Sequence, residues 1–328
     1  MNSGRACGSW LGVTALACLA LTLATGCGSG REETPAKQAS GVRYETGVAP
    51  VQPAGHQRML ELLDQVAEQT KTDNPYVGQG DAPELRANLA ALPTDRPDLR
   101  RWLFNRLLCK HEARLGNWET SIEHCQAAYD QLAVFGGEIP LEEGLDTVFQ
   151  LGVAYLRLGF VENSIREHTP GSYTIPIEAE GVHREPAAAR ASLPFFVEVL
   201  ERSKPEMPAY NEARWLLNLA YMALGDYPAG VAEPYRVPPE LFQSEREFPR
   251  FEDVAPELGL DTFSLSGGVI ADDFDNDHDL DLMVSTADQD LSIEYFQNNG
   301  DGTFTDRTLE AGLSGFLSGQ NIVQADYD

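Results

Sequence analysis

Apolar and polar positions follow three different patterns along the chain. From Trp10 to Ala24 every residue is apolar or small, a run of fifteen preceded by Arg5 as the one charged side chain. A bilayer span needs about 20 such residues, so the run predicts a secretory signal rather than a membrane helix. Over 55–250 apolar residues recur every three or four positions, the helical period. Met59, Leu62, Leu63 and Val66 share one predicted face, and Leu85, Leu89 and Leu92 another. Asp81 and Glu84 precede the second face with the spacing of a capping box. Two helices flank Leu115-Gly116-Asn117 between Arg101 and Leu132. Pro234, Pro238, Pro239 and Pro249 close the helical stretch, which places a boundary near residue 245. Beyond it the period shortens to two. Val269-Ile270 stands before an acidic loop, and Leu280, Leu282 and Val284 alternate with Asp281 and Met283 after it. That predicts strand, loop, strand. Asn298-Asn299-Gly300-Asp301-Gly302-Thr303-Phe304 reads as a hairpin turn between two further strands, because Asn-Gly and Asp-Gly supply positive φ. The pattern predicts a multi-domain chain, α then β.

Within the helical part, Leu151, Tyr155, Leu158 and Gly159 recur at one constant offset as Leu217, Tyr221, Leu224 and Gly225. This resembles the Leu-Gly-x-x-Tyr core of a tetratricopeptide repeat, with the glycine ending a helix by adopting positive φ. The stretch between is broken by Pro170, Pro176, Pro186 and Pro194, so three or four degenerate helix pairs are expected. Such helices either form a groove for a partner or only pack on one another. Cys109 and Cys125 fall on consecutive predicted helices. They are either a disulfide pinning that hairpin or two small core thiols.

Charge changes the picture more than composition does. The 328 residues carry 51 acidic and 24 basic side chains, a net charge of −27. This argues against a nucleic-acid binder, which needs a basic surface. The stretch 251–328 holds 18 Asp or Glu and a single basic side chain, Arg307, so −17 of that charge falls in it. Regularly placed Phe, Tyr, Ile, Leu and Gly in the same stretch favour cation-binding loops over a disordered acidic tail.

That stretch repeats itself. Phe251 and Asp253 recur as Phe304 and Asp306, Gly259-Leu260 as Gly312-Leu313, Phe263 as Phe316, and Asp273 and Asp275 as Asp326 and Asp328, always at an offset of 53. A fixed period near 50 points to a radial repeat such as a propeller blade. The first copy centres on Asp273-Phe274-Asp275-Asn276-Asp277-His278-Asp279-Leu280-Asp281. Carboxylates at alternate positions repel unless a cation gathers them, and Ca²⁺ takes six to eight oxygens from such loops. Asp273, Asp275 and Asp277 fill loop positions 1, 3 and 5. Asp279 would ligate through its carbonyl, and Asp281 through its side chain or a bridging water. His278 stands where glycine is usual, in a turn that needs positive φ. Val284 replaces the bidentate Glu of an EF-hand, and the flanks are strands, so an EF-hand is excluded. Asp326 and Asp328 begin a second loop.

Leu23-Ala24-Thr25-Gly26-Cys27 resembles the lipobox of bacterial lipoproteins, which implies a diacylglycerol on Cys27. The alternative is an ordinary cleaved signal. The repeated Phe-x-Asp, Gly-Leu, Gly267-Gly268-Val269, Asp-Phe-Asp-Asn-Asp and Asn-Asn-Gly-Asp-Gly-Thr-Phe-x-Asp elements resemble the FG-GAP/VCBS repeat. More closely they resemble bacterial secreted proteins similar to cartilage acidic protein, often associated with an ASPIC/UnbV domain and sometimes preceded by tetratricopeptide units. The resemblance implies integrin-α-like propeller blades with calcium loops, a binding or scaffold role, and no established catalysis. No ASPIC/UnbV segment is present. The expected organisation is a signal over 1–26, a flexible linker over 27–54, a tetratricopeptide-like domain over 55–245 and FG-GAP/VCBS repeats over 246–328. The last is an incomplete β-propeller of about one and a half blades, against the four to eight usual for that fold, so a truncated product is expected.

The resulting expectation is an exported calcium-binding scaffold, not an enzyme, held to the outer membrane or cell surface through its lipid anchor only. The alternative location is secreted or periplasmic. Its partner would be a protein or glycan ligand at the cell surface. Two other readings stay open. One is a propeller-based hydrolase or lyase whose site lies in a missing C-terminal part; the six His are scattered and no nucleophile or phosphate motif is present. The other is a Ca²⁺ sensor, against which the strand flanks speak.

Overall fold

Sustained helical periodicity gives helices, and the proline-rich ends stop them. The structure, a computed structural model, describes residues 42–44, 51, 53–166, 171–172, 174–243, 246, 251, 253–262, 264–265, 267–317 and 319–325. The expected signal over 1–26, Cys27, most of the expected linker, and Asp326 and Asp328 lie outside the described residues. The helices are α1 (Ala54–Asp73), α2 (Ala82–Ala90), α3 (Leu99–Arg114), α4 (Trp118–Phe135), α5 (Leu141–Phe160), α6 (Ala187–Arg202), α7 (Pro208–Ala223) and the short α8 (Ala255–Leu258). A π-helical turn, Val161–Arg166, continues α5. The strands are β1 (Val42–Tyr44), β2 (Val269–Asp272), β3 (Asp281–Val284), β4 (Glu294–Asn298) and β5 (Phe304–Asp306). The described order is therefore α then β, apart from β1.

From α3 to α7 each helix packs on its sequence neighbours. Val148 and Leu156 of α5, Phe196 and Val199 of α6, and Leu217 and Met222 of α7 form the main core. A disulfide joins Cys109 to Cys125 across the α3–α4 hairpin, with Cα atoms 5.0 Å apart, and both cysteines are buried beside Leu151 and Ala154. Two fully buried asparagines serve as backbone clamps. Asn163 Nδ2 donates to the carbonyls of Gly159 and Glu185, and Asn218 Nδ2 to those of Arg214 and Tyr235. Their Oδ1 atoms accept from the backbone N–H of Glu185 and Val237, so each amide satisfies an extended segment that has no ladder of its own.

Three local expectations differ. Gly225 (φ 71°) ends α7, with Gly225 N–H donating to Met222 and Asp226 N–H to Tyr221. Its counterpart Gly159 does not end α5. It stays helical because α6 presses there, leaving a Cβ only 3.0 Å from the Ala189 nitrogen. The Asp81 side chain forms no cap on α2, because its own backbone is helical (φ −79°, ψ −1°) where a capping residue is extended, and Pro83 at the second helical position has no N–H to donate. On α1 the expected apolar face points largely outward: Met59, Leu62 and Val66 are about half exposed. α1 packs instead on the β part. His56 meets Phe316 edge-on at 5.1 Å, Leu60 lies against Gly315, and Lys71 pairs with Asp290 at 2.5 Å.

The sheet has the order β1-β5-β4-β3-β2. From β2 to β5 it is an antiparallel meander, with Ile270 opposite Met283, Met283 opposite Tyr295 and Gln297 opposite Thr305. β1 joins parallel to β5, Arg43 opposite Thr305. It lies within the stretch read as a flexible linker, where Val42-Arg43-Tyr44 covers the outer sheet edge. The repeat offset returns in the hydrogen bonds. Asp253 Oδ1 accepts from Ala255 N–H at 3.2 Å, and Asp306 Oδ1 from Thr308 N–H at 2.9 Å. Leu260 N–H donates to Ala255, and Leu313 N–H to Thr308, around Gly259 (φ 72°) and Gly312 (φ 73°). The next segment passes beside β2: Gly319 N–H donates to Thr286, and Gly268 lies against Asn321 and Ile322.

His183 is a buried liability in the helical part. Its ring sits edge-on to Phe160 at 4.9 Å, and neither ring nitrogen has a hydrogen-bond partner among the described residues. Burial pushes its pKa from 6.5 down to about 4. Above pH 6.5 both folded and unfolded chains are neutral there, and stability is full. As pH falls toward 4 the unfolded chain takes up the proton first, so stability is lost. The loss is expected to reach about 2–3 kcal/mol, from about 1.4 kcal/mol per pKa unit. Urea denaturation at pH 7 and pH 4.5 should show this loss in the wild type and a smaller one in His183→Leu.

Candidate metal centre

The loop between β2 and β3 folds by capping itself. Asp273 Oδ1 accepts from Asp277 N–H at 3.0 Å and Asp273 Oδ2 from His278 N–H at 3.0 Å. Asp275 Oδ1 also accepts from Asp277 N–H, and Asp277 Oδ1 from Asp279 N–H at 2.9 Å. The bends that permit this fall at Asn276 (φ 65°) and His278 (φ 77°). Both belong to the residue types that enter the left-handed region most readily after glycine.

The result is a gathered triad. Asp273, Asp275 and Asp277 each offer a carboxylate oxygen, all within 4.8 Å of one another. At that separation two unit charges repel by about 1 kcal/mol in water and about 3 kcal/mol at an effective dielectric constant of 20. Backbone N–H donors offset part of this. His278 stands 3.7 Å from Asp273 but is 96% exposed, a turn residue rather than a buried ligand. Hard carboxylate oxygens on a loop closed by backbone turns suit Ca²⁺ or Mg²⁺, and not a thiolate- or imidazole-seeking metal.

Of the other two expected ligand residues, Asp279 through its backbone carbonyl and Asp281 through its side chain or a bridging water, neither adds its carboxylate to the triad. The Asp279 side chain is turned toward the β4–β5 hairpin, where a Cβ on Gly300 would sit 2.7 Å from its Oδ2. Asp281 is fully buried and points into the sheet. Its Oδ2 accepts from the Tyr295 hydroxyl at 2.8 Å and from Phe274 N–H at 3.2 Å, and its Oδ1 from Asn298 N–H at 2.7 Å. It ties the loop to β4. Burial, and then the Asp281 carboxylate, push the Tyr295 phenol well above its ordinary range.

Sequence spacing did not single out the supports from β4. Gln297 Nε2 donates to Asp275 Oδ2, while Gln297 Oε1 accepts from Arg307 at 2.9 Å. Asn298 Nδ2 donates to the Leu280 carbonyl. The asparagine-glycine run, read as a turn alone, is that turn and also the wall against Asp279. Compared with known protein families, curated proteins and solved structures, the chain matches none.

Proposed function

We propose that the chain is an exported calcium-binding scaffold of the FG-GAP/VCBS kind, anchored through a lipid on Cys27 and carrying tetratricopeptide-like helical repeats before a propeller-type blade. The observation that carries this reading is the triad of Asp273, Asp275 and Asp277 on a strand–loop–strand turn with left-handed residues at 276 and 278. The four-stranded meander from β2 to β5 suits one blade. The paired turns at Asp253 and Asp306, and at Gly259 and Gly312, suit a unit that recurs at a fixed period. Bound Ca²⁺ would neutralise the three carboxylates and lock the β2–β3 loop. Asp279 would add its carbonyl, and Asp281 would hold the loop to the sheet rather than bind the ion directly. A surface protein or glycan is the proposed partner, and the excess of negative charge speaks against nucleic acid.

Terbium, a luminescent substitute for Ca²⁺, tests the donor set. Tb³⁺ emission excited through tyrosine should appear on titration and be displaced by Ca²⁺ at concentrations at least tenfold below those needed with Mg²⁺, because flexible carboxylate loops satisfy the larger ion better. Asp275→Ala should lose most of the emission. Equal displacement by the two ions, or full emission from the variant, would contradict the reading.

A further inference from the structure

The helical layer holds a second feature that the calcium reading does not use. A cavity of about 600 Å³ opens beside α5 and α7, a size typical of small-molecule sites. Leu156 and Phe160 of α5, Trp215 and Leu219 of α7, Trp118 and Ile175 give it apolar walls. Trp215 and Ile175 are 38% and 43% exposed, so large apolar side chains stand open to solvent at this place. The π-helical turn contributes Ser164, whose buried hydroxyl accepts from Ser172 at 2.7 Å, with both serines on the cavity lining.

Among the described lining residues the charged one is Arg157. Arg157 is an exposed residue, and its guanidinium has no ion-pair or hydrogen-bond partner among the described residues. The nearby Arg166 is already paired with Glu119 at 3.3 Å. An apolar cavity with one unpaired cation and a hydroxyl pair complements a ligand with an apolar body and one negative charge. We propose that this cavity binds a small amphipathic carboxylate, a medium-chain aliphatic or aryl acid, with its body between Phe160, Trp215 and Leu219 and its carboxylate on Arg157.

Calorimetric titration of the whole chain with octanoate, 2-naphthoate and octan-1-ol tests this. At least one of the two carboxylates should saturate one site per chain, and octan-1-ol should bind more weakly than that acid. Arg157→Ala, at an exposed position where substitutions usually stay within about 0.5 kcal/mol, should weaken carboxylate binding about ten- to hundredfold, the value of a charge-assisted hydrogen bond. It should leave octan-1-ol unchanged, and Arg157→Lys should recover most of the loss. Trp215→Ala should weaken acid and alcohol alike, with circular dichroism unchanged. Three results would overturn the proposal: neither acid saturating a site, equal affinity in wild type and Arg157→Ala, or octan-1-ol binding as tightly as the acids. Saturation by an acidic peptide that octanoate fails to displace would overturn it as well.

Discussion

Asp281→Ala is expected to destabilise the sheet by about 3–5 kcal/mol, the largest single effect in the β part. The carboxylate is fully buried and accepts three hydrogen bonds, from Tyr295, Phe274 and Asn298. Alanine removes the acceptor and leaves those donors unmet where water has little access, at about 1–3 kcal/mol for each buried unsatisfied group. Loss of a buried network belongs to the short list of changes that exceed the usual range for point substitutions. Asp281→Asn should be intermediate, because its amide NH₂ would face a donor in place of one acceptor. Asp279→Ala removes a side chain on the exposed surface and should stay within about 0.5 kcal/mol in calcium-free buffer. Hydrogen exchange at β3 and β4 amides reads the difference. Protection in Asp281→Ala equal to wild type would contradict the assignment.

Calcium is expected to stabilise the β part and leave α3 to α7 unchanged. An ion that binds only the folded loop adds about 2.7 kcal/mol when present at one hundred times its dissociation constant. Scanning calorimetry with Ca²⁺ and then with excess chelator should move the transition belonging to the sheet and not that of the disulfide-linked helices. Residual coupling would run through α1 and β1, since α1 packs on Phe316 and Gly315 and β1 pairs with β5. Identical scans in both buffers would contradict the calcium assignment.

The parts of this molecule that local chemistry decides were legible in the sequence. Alternating carboxylates with Asn276 and His278 between them imply a tight acidic turn, because few residues other than glycine accept positive φ there. The constant repeat offset marked turns that recur in the hydrogen bonds of both copies. What tertiary packing decides was hidden. The periodicity of α1 marked the face with Met59, Leu62, Leu63 and Val66, yet His56 and Leu60 are the residues that meet the β part. Val42–Tyr44 carries no sign that its pairing partner is Phe304–Asp306, near the other end of the chain. Asp281 has the spacing of a ligand, yet Tyr295 and Asn298 of β4 donate to it and draw it inward. Gln297 and Asn298 reach the loop only because β3 and β4 pair in the register that sets Leu282 opposite Phe296.

Calcium titration by isothermal calorimetry, on wild type and on the triple variant Asp273→Asn, Asp275→Asn, Asp277→Asn, tests the central claim most directly. The account predicts saturable binding to the wild type at the triad and its loss, by at least a hundredfold in affinity, in the variant. Binding of equal strength in both proteins, or no saturable binding to the wild type, would contradict it.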